Sequence, residues 1–292
     1  IFQPKITDPF EIMGPGEIKN INLSKEQQKV VNTVQSAEKG FHPYLLHGVT
    51  GSGKTEVYLK LAQSIVDSGQ SVLVLVPEIS LTQQVANRFR GAFGTSVALW
   101  HSRMTKAEKG WTWLQLKKGE YTVVVGARSA IFTPLNNLGL IIVDEEQESS
   151  YKQENPAPRY HARDVAIVRG KQAGAIVLLT SATPSLESYY NALQNKFTLL
   201  KLTKRYGQST YPAVKLIDMK KENSIDENTI LSKSLIQAID DRMKKSEQVI
   251  ILHNRRGYSQ VQQCLDCGEI KICQMCSVTL TFHQTDNNLH CH

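Results

Sequence analysis

The sequence predicts an α/β fold, a parallel sheet with helices on both faces, and three observations predict it. Short apolar runs recur at Tyr44 to His47, Val72 to Val76, Val97 to Trp100, Thr122 to Val125, Leu140 to Val143 and Ile176 to Leu179, each the length of a strand covered on both sides. Amphipathic stretches of helical length separate them, as parallel strands require, since every return must cross over the sheet. A glycine-rich turn ending in Lys54 and Thr55 stands between the first run and the first long helix, the place that a phosphate loop occupies in such sheets.

In chain order, residues 1–22 read as a linker, because Pro4, Pro9, Gly14, Pro15 and Gly16 interrupt any periodic pattern. A helix is expected over Leu23 to Lys39. Val30, Val31 and Val34 recur at helical spacing, Ser24 caps the first turn with Gln27 three residues on, and Gly40 stops it. Further helices are expected at Thr55 to Asp67, Leu81 to Phe93, Thr105 to Lys118, His161 to Gln172 and Ser185 to Leu193. This first domain covers residues 23–200. A second alternation starts over 201–260, with strands at Val214 to Asp218 and Gln248 to Leu252 around a helix near Ser232 to Lys245. One and a half crossovers close no sheet, so this second lobe is read as incomplete, and a cysteine-rich segment, 261–292, follows it.

Composition excludes whole classes. Of 292 residues 41% are apolar and 21% charged, the balance of a globular chain rather than a disordered or fibrous one. The net charge of +7 is spread as +4 over residues 1–200 and +3 over 201–292, which permits a polyanionic partner without demanding one. No apolar run approaches the roughly 20 residues that cross a bilayer. Residues 1–20 lack the apolar core of a secretory signal, so the expectation is a cytoplasmic chain with no membrane partner.

Residues 48–55 read GVTGSGKT and fit GxxxxGK[ST] between a strand and a helix. Gly48, Gly51, Ser52 and Gly53 let backbone N–H groups face phosphate oxygens, Lys54 reaches the β- and γ-phosphates of ATP, and Thr55 binds Mg²⁺. The Leu140 to Val143 strand runs into Asp144 and Glu145. At the carboxyl edge of the sheet Asp144 holds the same Mg²⁺ and Glu145 orients or deprotonates the attacking water. A solvated acidic turn is the alternative for the pair.

The DEEQ stretch, followed by Ser181, Ala182 and Thr183 at the end of a strand, resembles the superfamily-two helicases. Within them the segments GVTGSGKTEVYL (48–59), VPEISLT (76–82), HSR (101–103), VVGARSAIF (124–132), DEEQESSYKQENPAPRYHARDVA (144–166), SATPSLES (181–188) and NRRGYS (254–259), with the cysteine cluster, resemble the PriA-type replication-restart helicases from about residue 22 onward. The resemblance implies RecA-like lobes with an ATP cleft between them. Gln27 would contact the adenine; a helix-capping role is its other reading. Pro77 to Thr82, His101, Ser102, Arg128 and Ser129 would line a single-strand track, although Arg128 can equally pair with a nearby acid.

Tyr151, Tyr160, Arg159 and Arg163 interleave aromatic faces with cations, chemistry that stacks on unpaired bases and grips phosphates; tyrosines anchoring a proline-stiffened loop are the alternative. In the family this loop couples DNA contact to hydrolysis. Ser181 and Thr183 either link the γ-phosphate site to the track or cap a helix start at Ser185. Gln147 stands where the family has His, so the coupling contact falls to a neutral amide that still donates and accepts. Arg255 and Arg256 would grip DNA from the second lobe or form surface ion pairs.

Cys264/Cys267 and Cys273/Cys276 are five residues apart, closer than pairs that share one tetrahedral zinc, so each pair is expected to serve a different ion. Cys291 completes three thiolates with Cys273 and Cys276. The resemblance implies two Zn²⁺ with interleaved pairs whose remaining cysteines lie beyond His292; His283, His290 or His292 as substitutes, and reduced unliganded thiols, are the alternatives.

The resemblance implies an ATP-dependent helicase acting on single-stranded and forked DNA, with primosome proteins and single-stranded DNA-binding protein as partners. It also implies a DNA-binding region before residue 1 and an arginine finger after residue 292, so the isolated chain is expected to bind Mg·ATP but to hydrolyse it slowly. A zinc-dependent assembly platform and a double-strand translocase that does not unwind are the competing functions.

Overall fold

The computed structural model of the protein describes residues 22–77, 87–205, 212–219, 231–252, 264, 267–283 and 288–291. They fall into two units, Ile1–Thr210 and Tyr211–His292.

The strands of the first unit are β1 (His42–Gly48), β2 (Ser71–Leu75), β3 (Val97–Trp100), β4 (Val123–Gly126), β5 (Leu138–Val143), a two-residue pair β6 (Lys152–Gln153) and β7 (Tyr160–His161), β8 (Ile176–Ser181) and β9 (Thr198–Leu202). Its helices are α1 (Lys25–Gln35), α2 (Lys54–Asp67), α3 (87–93 as described), α4 (Lys106–Lys118), α5 (Ala162–Ala173) and α6 (Leu186–Leu193). Seven strands make one sheet in the order β3-β4-β2-β5-β8-β1-β9, parallel at every pairing. Every residue of β2, β3, β4 and β5 is buried. Both faces are therefore covered, which is why these strands read as unbroken aliphatic runs rather than alternating ones.

Helix α2 packs on β2 and β5, α5 on β5 and β8, and α6 on β1. Gly170, inside α5, permits that approach: a Cβ there would meet Val177 Cγ2 at 2.2 Å, so a larger residue would lift the helix off β8. The Ser24–Gln27 capping box opens α1, and an equivalent Thr105–Glu108 box opens α4. Helix α1 ends at Gln35 rather than running to Gly40, because the chain must turn to enter β1 at His42; Ala37 N already bonds back to Val34 O.

Two departures from the sequence reading concern strands. β9 was not expected: Leu200 and Leu202 are buried around the exposed Lys201, and among the described residues it pairs with β1 alone, at the sheet edge. Conversely, the strands expected at 214–218 and 248–252 do not form. Both stretches are irregular, and Leu216, Ile250 and Leu252 are 92%, 96% and 91% exposed. Their apolar pattern finds no ladder, and an unpaired strand has nothing to satisfy its backbone.

In the second unit α7 (Lys233–Lys244), capped by Ser232, forms as expected. β10 (Thr281–His283) and β11 (Asn288–His290) make an antiparallel hairpin. The expected linker, apart from residue 22, and the 81–86 portion of the third helix lie outside the described residues.

Candidate nucleotide site and nucleic-acid face

Because all seven strands run the same way, their carboxyl ends share one edge. β1 delivers Gly48, β5 delivers Asp144 and Glu145, and β8 ends at Ser181; these three are neighbours. β2, β4 and β3 deliver Pro77, Arg128 with Ser129, and His101 with Ser102 to the other half of the same edge. The topology thus sorts the residues expected to handle nucleotide from those expected to handle nucleic acid.

Gly53 is the N-cap of α2 in a left-handed conformation (φ 75°), with no side-chain cap; Glu56 N bonds back to Gly53 O (3.1 Å), and the N–H groups of Lys54 and Thr55 are left for an anion. Lys54 Nζ donates to Gly48 O (3.0 Å) and lies 3.7 Å from Glu145 Oε1. Ser52 Oγ is buried without a partner. A cationic side chain resting on its own loop, an orphaned hydroxyl and uncapped amides together fit a phosphate group.

Gln27 is buried and fully committed: its Oε1 accepts from Ser24 N (2.7 Å), and its Nε2 donates to Ser52 O (2.8 Å). A Cβ on Gly53 would lie 2.3 Å from that Nε2, so the glycine is required for this approach as well as for its φ. The structure therefore places Gln27 as cap and loop support, and an adenine contact would have to replace those bonds.

The acidic turn is built by hydroxyls. Asp144 Oδ1 accepts from Thr180 Oγ1 (2.7 Å) and its backbone carbonyl accepts from the Tyr151 hydroxyl (2.7 Å). The Tyr58 hydroxyl lies 3.2 Å from Asp144 Oδ2 and 3.0 Å from Thr55 Oγ1. It carries one proton; the carboxylate can only accept, so the proton faces Asp144 and the Thr55 hydroxyl is left to donate to the phenol oxygen. Burial raises the Asp144 carboxyl above its ordinary range, and Glu145 adds to this against the opposing bonds from Thr180 and Tyr58. Burial, reinforced by the Asp144 charge, likewise holds the Tyr58 and Tyr151 phenols well above theirs.

Glu145 adopts φ 45°, which turns its side chain toward Lys54. Its Oε2 accepts from Gln147 Nε2 (3.1 Å); Gln147 Oε1 accepts from Ser181 Oγ (2.6 Å); and Ser181 Oγ accepts from Thr183 N (2.8 Å). A continuous chain of bonds thus leads from the carboxylate to the loop after β8.

Glu146, between two functional candidates, is fully buried. It accepts from Arg163 Nη1 (3.1 Å), Ser185 N (2.7 Å), Ser185 Oγ (2.9 Å) and Ser188 Oγ (2.8 Å). This corrects the reading of Arg163 as a DNA contact: its guanidinium is buried on Glu146, Ser185 and Asp164, because a buried carboxylate needs a cation more than the surface does. Tyr151 is corrected too. Its ring is buried and its hydroxyl is spent on Asp144, so it anchors the turn and cannot stack on a base.

On the other half of the edge, Arg128 Nη1 donates to Lys152 O (2.8 Å) and its guanidinium lies 5.9 Å from the Tyr160 ring centroid. It bridges to the β6–β7 loop through carbonyls rather than through an acid. Tyr160 is partly buried, edge-on to the exposed Phe132 at 5.0 Å. Ser129 Oγ accepts from Trp100 Nε1 (3.2 Å), and Pro77 O accepts from Ser150 Oγ (3.1 Å). Ser102 is exposed, whereas His101 Nδ1 is buried without a partner, and burial lowers the pKa of its imidazole. Thr82, Arg255 and Arg256 lie outside the described residues.

In the second unit the two CxxC turns repeat one pattern. Gly268 N donates to Cys264 O and Cys264 N to Glu269 O; Ser277 N donates to Cys273 O and Cys273 N to Val278 O. Gly268 and Ser277 both hold positive φ, 73° and 58°. Cys273, Cys276 and Cys291 bring three sulfurs within 4.8 Å of one another, a set that suits zinc. Cys264 and Cys267 are not in that group. Backbone N–H groups of Met275 and Cys276 pull the Cys273 thiol down to about 7. His290 lies on β11; the side chains of His283 and His292 lie outside the described residues.

Tyr58, Thr180 and Glu146 escaped the sequence reading, whereas Tyr151 follows the anchoring alternative. Tyr58 had a signal: three residues after Thr55 on one helix, it shares a face with it. Glu146 had none, because an acid beside two functional acids reads as a third.

The DEAD/DEAH box helicase family matches residues 24–192. The chain is 42% identical over 287 residues to the replication restart protein PriA of Bacillus subtilis (strain 168), covering 98% of this chain and 36% of that protein. It is 44% identical over 274 residues to PriA of Chlamydia pneumoniae, covering 93% and 37%. The chain spans about a third of the length of these relatives. A structure of RecG bound to a three-way DNA junction superposes with a TM-score of 0.49 at 24% identity, over 66% of this chain and 25% of that one.

Proposed function

The chain belongs to the DEAD/DEAH box helicase family, and from that premise we propose that it is the ATP-hydrolysing lobe of a helicase that moves along single-stranded DNA during replication restart. The convergence of the phosphate loop and the acidic turn, Lys54 facing Glu145 and Thr55 joined through Tyr58 to Asp144, is the observation that carries this reading.

Lys54 and the free amides at the start of α2 hold the triphosphate, with Ser52 Oγ taking a phosphate oxygen. Thr55 and Asp144 would hold Mg²⁺, which would supply charge neutralisation at the phosphates. Glu145 orients or deprotonates the attacking water. The Gln147–Ser181–Thr183 chain passes the state of Glu145 to the loop after β8. Ser102, Ser129 and Arg128, with the Tyr160 ring, carry the strand at the other half of the edge, and Arg128 exchanges its loop carbonyls for phosphates. Lobe boundaries at residues 23–200 and 201–260, a truncated zinc-binding segment over 261–292 belonging to a module that binds two ions when intact, forked DNA as substrate, primosome proteins and single-stranded DNA-binding protein as partners, and a cytoplasmic location belong to the same proposal.

A second reading, a zinc-dependent assembly platform, is favoured by the Cys273–Cys276–Cys291 cluster. Unwinding of a forked DNA by the complete protein, alongside Lys54→Ala, tests the motor. Fork unwinding that survives the substitution would overturn it, and loading of partners without any unwinding would favour the platform.

A further inference from the structure

We propose that Tyr58 is a positioning residue of the cation site, holding Thr55 and Asp144 on one phenol oxygen before nucleotide arrives. This rests on the nucleotide-site reading above. Thr55 belongs to the start of α2 and Asp144 to the end of β5, 89 residues later in the chain. Nothing in the covalent structure keeps their oxygens together, and the Tyr58 hydroxyl, 3.0 Å and 3.2 Å from them, does.

The phenol is itself immobile. It is fully buried, and its ring stacks on Phe89 at 6.2 Å with an interplanar angle of 11°. Phenylalanine would fill the same space. A buried hydroxyl is costly unless it is bonded, and these two oxygens are the partners that satisfy this one. The remaining freedom of Asp144 is already spoken for, with Thr180 on Oδ1 and Tyr151 on the carbonyl. Tyr58 therefore sets where Oδ2 points, and this oxygen and the Thr55 hydroxyl are the donors that a divalent cation would meet first.

The test is Mg²⁺ titration of a fluorescent ADP analogue bound to the protein, wild type against Tyr58→Phe, run below the melting temperature of each. The expected result is a Mg²⁺ midpoint raised about tenfold, as for loss of one hydrogen bond to a charged group, with nucleotide affinity in EDTA unchanged within about twofold. In an Asp144→Asn background Tyr58→Phe should move the midpoint no further. A lower melting temperature with an unmoved or lowered midpoint would reduce Tyr58 to a packing residue and overturn the proposal. If the wild type bound nucleotide no better with Mg²⁺ than without, the nucleotide-site reading itself would fail, before any variant was compared.

Discussion

Lys54 Nζ lies 3.7 Å from Glu145 Oε1, so the helix start after β1 meets the turn after β5 across the end of β8, the strand between them. The Lys54 side chain is 10% and the Glu145 side chain 35% exposed, and at 3.7 Å, with solvent reaching the acid, the pair contributes little to stability. In the proposed nucleotide site its worth is geometric, both groups being placed to face the γ-phosphate. Lys54→Ala should therefore weaken Mg·ATP binding by at least about tenfold, the loss expected for a charge-assisted bond, while melting shifts by less than about 2 °C. Nucleotide titration and a thermal melt check both halves.

Adjacent acids should behave oppositely. Glu145→Gln is expected to cut hydrolysis by about a hundredfold or more and leave folding intact. Glu146→Gln should leave the chemistry in place in whatever folds and destabilise by about 3 kcal/mol, because it leaves the buried Arg163 with only the exposed Asp164 as counter-charge. Denaturant unfolding of both variants beside their kcat separates the roles. Equal stability losses would show that the sorting of the two acids is wrong.

Asp144 makes a pH prediction. Its carboxyl is raised from 3.8 by burial, so the folded state resists ionisation. Below 3.8 the group is neutral folded or unfolded and costs nothing; as pH climbs through the raised value, stability is lost and stays lost. Asp144→Asn should then melt higher than wild type at pH 7 without magnesium. The difference should close toward pH 3.5. Mg²⁺ should stabilise the wild type with nucleotide and not the variant. Identical melting curves across that range would remove the burial cost from the account.

Thiols in the second unit give a metal prediction. If Cys273, Cys276 and Cys291 hold one ion, Cys291→Ser should release zinc about tenfold or more readily to a colorimetric chelator. The melting of the first unit should not change. Retention of zinc with wild-type affinity would assign the ion to other donors.

How much of this was legible beforehand follows from what encodes each feature. The sheet was legible because β2 to β5 are buried on both faces and are mostly aliphatic, and the phosphate loop because its glycines and lysine act in sequence order. β9 was not, since an edge strand with one covered face alternates like a loop. The apolar runs at 214–218 and 248–252 misled for the converse reason: pattern names a strand only when partners exist. In the site, Tyr151 and Arg163 read as nucleic-acid contacts because their types allow it. Which aromatic or cation turns inward was decided by Asp144 and Glu146, whose burial no spacing announces.

The bond chain Glu145–Gln147–Ser181–Thr183 carries the last prediction. Gln147 uses both ends of its amide, donating to Glu145 and accepting from Ser181, and in the proposed motor it would carry the carboxylate's position to the loop after β8 without changing charge. Gln147→Ala should leave Mg·ATP affinity within about twofold but lower DNA-stimulated kcat by about tenfold, the scale of one lost positioning bond. Basal hydrolysis should change far less. Gln147→His can donate to Glu145 as a cation, or as a neutral ring, but cannot serve both neighbours equally in each state. Its stimulated rate should therefore vary with pH around 6.5, the ordinary imidazole value, where the wild type is flat. A Gln147→Ala protein whose stimulation by single-stranded DNA matched the wild type would mean that the signal takes another route.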